Sequence, residues 1–138
     1  MTNVPAELRR AAEFHTHLGP YLVIGLRMGR IVVRELGREP FTISIRAFTG
    51  DVPPYSCAVD GLQLATPCTT GNGGLRVDGE RRMAIEARRD DRCLMVTLRP
   101  EVFRRIEADC TEANQETFAC GIWEAPDDEL FIVERREG

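Results

Sequence analysis

Two short segments of this chain carry the residue types that bind metals or act as nucleophiles. The first, residues 14–20, contains both histidines of the protein, His15 and His17, and ends in a Gly-Pro pair. Two imidazoles two residues apart cannot share a helix face, but they converge where the chain is extended or forms a loop. Because the Gly-Pro pair favours such a conformation, the histidines are a candidate metal or catalytic site.

The second segment begins with a predicted helix at residue 57. Cys57 lies in its first turn, and Asp60 follows one turn later on the same face. The positive end of the helix dipole is expected to lower the pKa of the Cys57 thiol, which favours the thiolate that coordinates metal or attacks carbon. Helices also pack cysteine as a small apolar residue, so core packing stays an alternative for Cys57.

Cys68 follows this helix and precedes a glycine-rich turn at residues 69–74. Glycine allows close approach of the backbone to a ligand, so the turn is a candidate ligand-binding loop; a plain connection into a strand is the alternative. The candidate ligand-binding residues are Asp60, Thr69, Thr70, Gly71 and Asn72. Two histidines and two cysteines match the ligand types and number of a tetrahedral zinc site. Their spacing is not that of a zinc finger, so the fold must assemble any such site.

The remaining cysteines carry no ligand spacing. Cys93 is expected to pack in the core from its strand, and Cys110 and Cys120 are interpreted as structural. An odd number of cysteines, in a chain large enough to have its own core, argues against a disulfide scaffold. The N-terminus lacks the pattern of a signal peptide, which predicts a cytoplasmic protein.

Composition excludes several classes of function. All 18 basic residues are arginines, which excludes a Schiff-base lysine and the lysine-dependent phosphate loop. The net charge is -4, with no basic excess to displace counterions from phosphates, so no nucleic-acid partner is expected. The longest apolar run, residues 21–26, is far shorter than the roughly 20 residues of a membrane-spanning helix.

Hydrophobic periodicity predicts the elements that must position these residues. Helices are expected over residues 6–14, 20–36, 57–66 and 112–123, with a further helix beginning at Pro100. Strands are expected over residues 41–47, 94–98 and 130–133, and a β-hairpin is expected from Leu75 to Ala87 around the Asp78-Gly79 turn. This order, α-β-α-β(3)-α with a tail, predicts one α+β domain over residues 1–138 with a mixed sheet.

Three local expectations are specific enough to test against a structure. Ser56 is a good N-cap residue for the helix at residue 57. Phe41 begins a strictly alternating strand and is expected on its buried face. Gly25 and Gly29 lie four residues apart on one helix, and the cost of glycine there suggests close packing against another backbone.

The three motifs together resemble the FmdE family of formylmethanofuran dehydrogenase proteins. They are FHTHLGPYLVIGLRMG at 14–29, CAVDGLQ at 57–63 and TPCTTGNGGL at 66–75. The resemblance implies a compact α+β domain, grouped with the catalytic domain of glyceraldehyde-3-phosphate dehydrogenase and often a homodimer. It also implies a site for zinc or another divalent transition metal. Position by position, it assigns metal ligation to His15, His17, Cys57 and Cys68.

The chain departs from the family pattern at several positions. Gly19 stands where many members have a further cysteine, Thr16 and Pro67 replace glycines, and Asn72 replaces a basic residue. The C-terminal zinc ribbon of some members is not expected here.

Three functions stay open at this point. The leading one is a metal-binding accessory domain associated, through the family, with one-carbon or molybdopterin-enzyme metabolism. The second is an enzyme without metal, with Cys57 as nucleophile and His15 or His17 as base. The third is a dimeric binder of a small ligand, using the turn at 69–74 for the ligand and the Gly25/Gly29 face for assembly. The leading function requires a ring nitrogen of His17 within about 8 Å of the Cys57 sulfur.

Overall fold

A computed structural model describes residues 4–137 as a layer of helices against one five-stranded sheet. The helices are α1 (Ala6–His15), α2 (Pro20–Leu36), α3 (Cys57–Ala65), α4 (Pro100–Asp109), α5 (Gln115–Glu124) and α6 (Asp127–Leu130). The strands are β1 (Ser44–Ala47), β2 (Leu75–Val77), β3 (Ala84–Arg89), β4 (Arg92–Leu98) and β5 (Phe131–Glu137). None of these helices combines the length and the hydropathy that crossing a bilayer requires.

The sheet has the strand order β2-β1-β3-β4-β5. β1 and β2 are parallel, and every other neighbouring pair is antiparallel. Parallel neighbours need a crossover connection, and α3 supplies it between β1 and β2. The mixed sheet confirms the predicted α+β class.

The hairpin predicted around Asp78-Gly79 is wrong. β1 lies between its two arms, and Ile45 pairs with Leu75 on one side and with Ala87 on the other. The tight hairpin is instead β3–β4, whose register ends at the pair Arg89↔Arg92. A local turn motif cannot show that an earlier strand inserts between the segments it joins.

β1 is shorter than the alternating pattern over residues 41–47 predicts. Phe41 has a φ of 64° and is 84% exposed, so it does not lie on the buried face. Pairing with β3 begins only at Ser44, which lies opposite Arg88 near the end of β3. The alternation predicts burial correctly only where ladder partners exist.

α2 is the central helix, with the predicted bounds. Proline stands at its first position, where the missing N–H costs nothing, and its C-cap Gly37 has a φ of 91°. Most of its length is buried, including Arg27 at 7% exposure. Arg27 donates hydrogen bonds to the carbonyl oxygens of Ile122 (2.6 Å) and Trp123 (2.9 Å), which anchors the end of α5 to α2.

α2 and α3 cross at close range because glycines lie at the crossing. A Cβ at Gly25 would overlap the backbone of Ala58, and one at Gly61 would overlap the backbone of α2. A Cβ at Gly29 would lie 2.6 Å from the Cβ of Ala65. This confirms the expected close packing, and it corrects the expectation that the Gly25/Gly29 face serves assembly between copies, because α3 covers it.

The start of α3 differs from the predicted cap. Ser56 has helical backbone angles (φ -67°, ψ -10°), and its side chain makes no capping bond. The preceding turn satisfies the helix start instead: Cys57 N–H donates to the Pro54 carbonyl (3.2 Å) and Ala58 N–H to the Tyr55 carbonyl (3.1 Å). The first amides of α3 are therefore occupied by backbone carbonyls.

Candidate metal centre

Three side chains converge at the amino end of α3. His15, His17 and Cys57 each offer one ligand atom, and these atoms lie within 4.8 Å of one another. A tetrahedral ion with bonds of about 2.0–2.3 Å separates its ligands by roughly 3.5 Å, so small side-chain adjustments would let one ion touch all three. We call these residues the His-His-Cys trio. The distance condition set by the sequence is met.

The linker between α1 and α2 brings the two imidazoles together. Thr16 has a φ of 91° and ends α1, donating its N–H to the Ala12 carbonyl at 2.6 Å. Gly19 is extended (φ -142°, ψ 172°). Because the chain leaves the helix between His15 and His17, their rings approach to a centroid distance of 4.7 Å. This is the non-helical conformation that the H-x-H spacing requires.

Asp60 orients the first histidine of the trio. Its Oδ2 lies 2.6 Å from His15 Nδ1, which places the proton on Nδ1 and the lone pair on Nε2. His15 Nε2 is buried and has no hydrogen-bond partner within residues 4–137. Buried polar atoms are rarely left in this state, and a carboxylate-bound imidazole with its other nitrogen free is the usual arrangement at a metal. The donor set therefore fits a metal ion.

Gln63 connects the trio to the glycine-rich turn, a role that sequence analysis missed. Its amide nitrogen donates to Asp60 Oδ1 at 3.2 Å, and its amide oxygen accepts the Thr70 N–H at 3.0 Å. The spacing of Asp60 and Gln63, three residues apart on a helix, was the signal available. This relay explains why the helix motif and the turn lie together in one site.

Cys68 lies apart from the trio. It is buried, and its thiol donates to the Ile43 carbonyl at 3.3 Å. The Thr66 hydroxyl donates to the Leu62 carbonyl at the end of α3 and accepts the Cys68 N–H, which directs Cys68 toward the sheet. Burial raises the pKa of the Cys68 thiol. The structure therefore brings together three of the four ligands predicted from the sequence.

The turn at residues 69–74 is held by its own side chains. Asn72 Oδ1 accepts the N–H groups of Thr69 (3.0 Å) and Gly74 (2.9 Å), and Thr69 Oγ1 accepts the Asn72 N–H (3.0 Å). These amides are occupied and cannot bind an anion without breaking the turn. The described contacts fit the alternative stated above, a tight connection into β2.

The pKa of Cys57 is shifted opposite to the expected direction. Burial is the largest cause, and the negative charge of Asp60 adds to it, so the pKa rises although the backbone N–H opposes the shift. The expected lowering by the helix dipole is overturned because Pro54 and Tyr55 carbonyls occupy the first amides of α3. In the metal-free protein Cys57 is a neutral thiol, and a bound cation would be needed to stabilise the thiolate.

A cleft of about 250 Å³ opens beside the trio, with His17 and Cys57 on its border. Tyr21 and Glu107 line it as well, and the Tyr21 hydroxyl donates to Glu107 Oε2 at 2.5 Å. Burial, followed by this hydrogen bond, raises the pKa of Tyr21 well above its usual range. Sequence analysis missed Glu107, since its long separation from Tyr21 leaves no local pattern.

All five cysteines are free thiols. Cys93 is buried, as predicted from its strand. Cys120 is half-buried and packs against the core, which agrees with a structural role. Cys110 is also half-buried, and it borders the cleft beside the trio.

A mixed α+β domain with a His-His-Cys trio at a helix start is the class that fold and site define. The family described as "FmdE, Molybdenum formylmethanofuran dehydrogenase operon" matches residues 14–132. The chain belongs to the FmdE family. The match confirms the resemblance found in the three sequence motifs and extends it through β5.

Two relatives place the chain further. The crystal structure of an FmdE-like protein of tungsten formylmethanofuran dehydrogenase, from Syntrophus aciditrophicus, has a TM-score of 0.69 and 22% identity, over 95% of this chain and 70% of that one. At this identity the likeness shows the fold. A "Probable S-adenosyl-L-methionine-binding protein" of Archaeoglobus fulgidus is 35% identical over 105 residues, 71% of this chain. The match spans only 28% of that protein.

Proposed function

We propose that this protein is an FmdE-family metal-binding domain that holds zinc, or another divalent transition metal, through His15, His17 and Cys57. The observation that carries the proposal is the buried His15 Nε2, which has no hydrogen-bond partner among the described residues while Asp60 holds the opposite ring nitrogen. Three protein ligands leave a fourth position for water or a small molecule, the arrangement of catalytic rather than structural zinc.

The residues around the trio divide the work of such a site. Zinc with an open position polarises a bound carbonyl or lowers the pKa of bound water to about 7. Asp60 keeps His15 in the tautomer that can ligate, and the apolar burial of Cys57 limits solvent access to the sulfur. The cleft beside His17 and Cys57 gives a small ligand access to the fourth position.

Metal content tests the proposal directly. Protein purified without a histidine tag should contain about one zinc or similar ion per chain, and less than about 0.2 would contradict the proposal. His17→Ala and Cys57→Ser should each lose most of the metal. Cys68→Ser is the matched control, since it also replaces a buried thiol but lies outside the trio. Loss of metal in a folded Cys68→Ser protein would return Cys68 to the ligand set.

The metal-free alternative, with Cys57 as nucleophile and His17 as base, makes a different prediction. A nucleophile of this kind would react with iodoacetamide far faster than the other thiols. Cys57 is 6% exposed and its pKa is raised, so in metal-free protein we expect it to react no faster than the half-buried Cys110. Selective fast labelling of Cys57 would favour the nucleophile.

The family description supports the cellular context we propose. A place in formylmethanofuran dehydrogenase operons agrees with an accessory role beside one-carbon or molybdopterin-enzyme metabolism. Five free thiols agree with a reducing compartment such as the cytoplasm. The S-adenosylmethionine in the name of the archaeal relative is not part of the proposal, since most of that protein lies outside the match.

We also propose a homodimer, as the family resemblance implies. The exposed apolar side chains of Phe41 (84%) and Val52 (52%) support an interface, because apolar surface left open to water favours association. Light scattering after gel filtration tests this state, and a monomer at micromolar concentration would contradict it.

A further inference from the structure

We propose that the cleft beside the trio binds a small organic cation, whose ammonium or amidinium group is recognised by the carboxylate of Glu107. A second group on the same molecule would take the open position of the metal. The inference rests on the proposed metal site and names the chemical class of ligand that this site accepts.

The charge of the cleft differs from that of the rest of the molecule. Its charged border consists of Glu107 and Glu112 together with His17, and no arginine lines it. Four other surface cavities each include at least one arginine, as expected for a chain rich in this residue. Arg81 stacks on Tyr55 nearby but does not border the cleft. A cation is therefore favoured here and an anion is disfavoured.

Glu107 is positioned by neutral donors. The Tyr21 hydroxyl donates to Oε2 at 2.5 Å, and the Tyr55 hydroxyl donates to Oε1 at 3.1 Å. The two phenol rings pack edge to face at a centroid distance of 5.3 Å, so both donors are held by packing. Each carboxylate oxygen retains a further lone pair. Within residues 4–137 Glu107 forms no ion pair, so its charge stays available to a ligand.

The remaining walls of the cleft set the size and polarity of the ligand. Leu22 and Ile106 are buried apolar side chains, and Pro20 and Pro54 add further apolar surface. The volume of about 250 Å³ lies below the range of about 300–1,000 Å³ that drug-sized ligands occupy. A short hydrocarbon body between a cationic end and a metal-ligating end fits these walls.

Three imidazoles that differ only in their side arm test the charge preference. Histamine carries an ammonium, 4-ethylimidazole is neutral, and imidazole-4-acetate carries a carboxylate, while each offers the same ring to the metal. Calorimetric titration of zinc-loaded protein at pH 7.5 should show histamine binding about fivefold more tightly than 4-ethylimidazole, the size of one partly exposed ion pair. Imidazole-4-acetate should bind most weakly.

Substitutions assign the preference to one carboxylate. Glu107→Gln should remove the histamine preference while zinc content and 4-ethylimidazole affinity stay unchanged. Tyr21→Phe, which removes one of the two donors to Glu107, should reduce the preference in part. Glu116→Gln, at an exposed position of α5 outside the cleft, is the matched control and should change nothing. A preference that survives Glu107→Gln but disappears in Glu112→Gln would overturn the assignment.

Zinc analysis before each titration separates the two proposals. Equal affinities for the three imidazoles on zinc-loaded protein would overturn this inference and leave the metal site standing. Protein that does not retain zinc would overturn the metal site and this inference with it.

Discussion

His15 shows at the scale of single residues how the site depends on groups that never touch a ligand. One ring nitrogen is bound to Asp60, and the other is buried without a partner among the described residues. Asp60 in turn accepts from Gln63, whose amide oxygen holds the Thr70 N–H. The metal affinity of the trio should therefore depend on Asp60 although its carboxylate is not a ligand.

Asp60→Asn should lower zinc affinity by about 10- to 100-fold, since a carboxylate behind a metal-bound imidazole orients the ring and raises its basicity. Competition with a chromophoric chelator measures this affinity. Asp91→Asn, an exposed position in the β3–β4 turn, makes the same chemical change away from the site and should have no effect. An Asp60→Asn protein with unchanged zinc affinity would show that Asp60 does not act behind His15.

The crossing of α2 and α3 decides at the scale of elements where Cys57 lies. Gly25 and Gly61 let the two backbones approach, and neither position accepts a Cβ without displacement of the other helix. Because α3 begins at Cys57, a shift of this crossing also moves the thiol relative to the histidines in the α1–α2 linker.

Gly25→Ala should lower the free energy of unfolding by about 3 kcal/mol, because the new Cβ meets the rigid backbone of Ala58. Urea denaturation measures the loss. Gly121→Ala is the matched control: no atom lies within 4 Å of its added Cβ, and alanine in a helix should raise stability by about 0.5–1 kcal/mol. Equal effects of the two substitutions would contradict the close-packing explanation.

A second contact between elements gives stability a pH dependence. Burial opposes ionisation of Asp127, but hydrogen bonds from Arg34 (2.6 Å) and Arg27 (2.7 Å) outweigh it and hold the pKa of Asp127 below its ordinary value. A lowered folded-state pKa contributes stability that is complete above the unfolded value of about 3.9 and is lost as the pH falls through the folded value.

Asp127→Asn should therefore lower the free energy of unfolding at pH 7 by about 1–2 kcal/mol, allowing for solvent screening. It should also make stability less dependent on pH below about pH 4. Urea titrations between pH 3 and pH 7 measure both effects. Asp128→Asn, at the exposed neighbouring position, should behave as the parent protein, and a parent-like acid limb in Asp127→Asn would refute the prediction.

Metal binding should stabilise the molecule as a whole. The trio joins the end of α1, the α1–α2 linker and the start of α3, which separate when the chain unfolds. A ligand that binds only the folded state adds about 2.7 kcal/mol at a free concentration 100 times its Kd. The Tm should therefore rise with zinc and fall with a chelator, while Cys57→Ser should show a much smaller response. A Tm independent of zinc would contradict a site assembled by folding.

Local chemistry predicted α2, the helix start at Cys57 and the residue types of the trio. Proline at the first position, apolar residues at helical spacing and a terminal glycine all act within a few residues, so the bounds of α2 follow from them. The same local evidence failed at Phe41 and at the Asp78-Gly79 turn. In both places the outcome depends on which strand pairs with which, and local spacing carries no information on that.

By itself the amino-acid sequence determined the family, the α+β class and the donor atoms available for a metal, because motif chemistry and periodicity are properties of neighbouring residues. Only the tertiary structure decided that Cys68 bonds to Ile43 rather than joining the trio, and that burial raises the pKa of Cys57. It also brought Glu107 to the cleft. These outcomes depend on contacts between residues far apart in the chain, where packing and desolvation outweigh local preference.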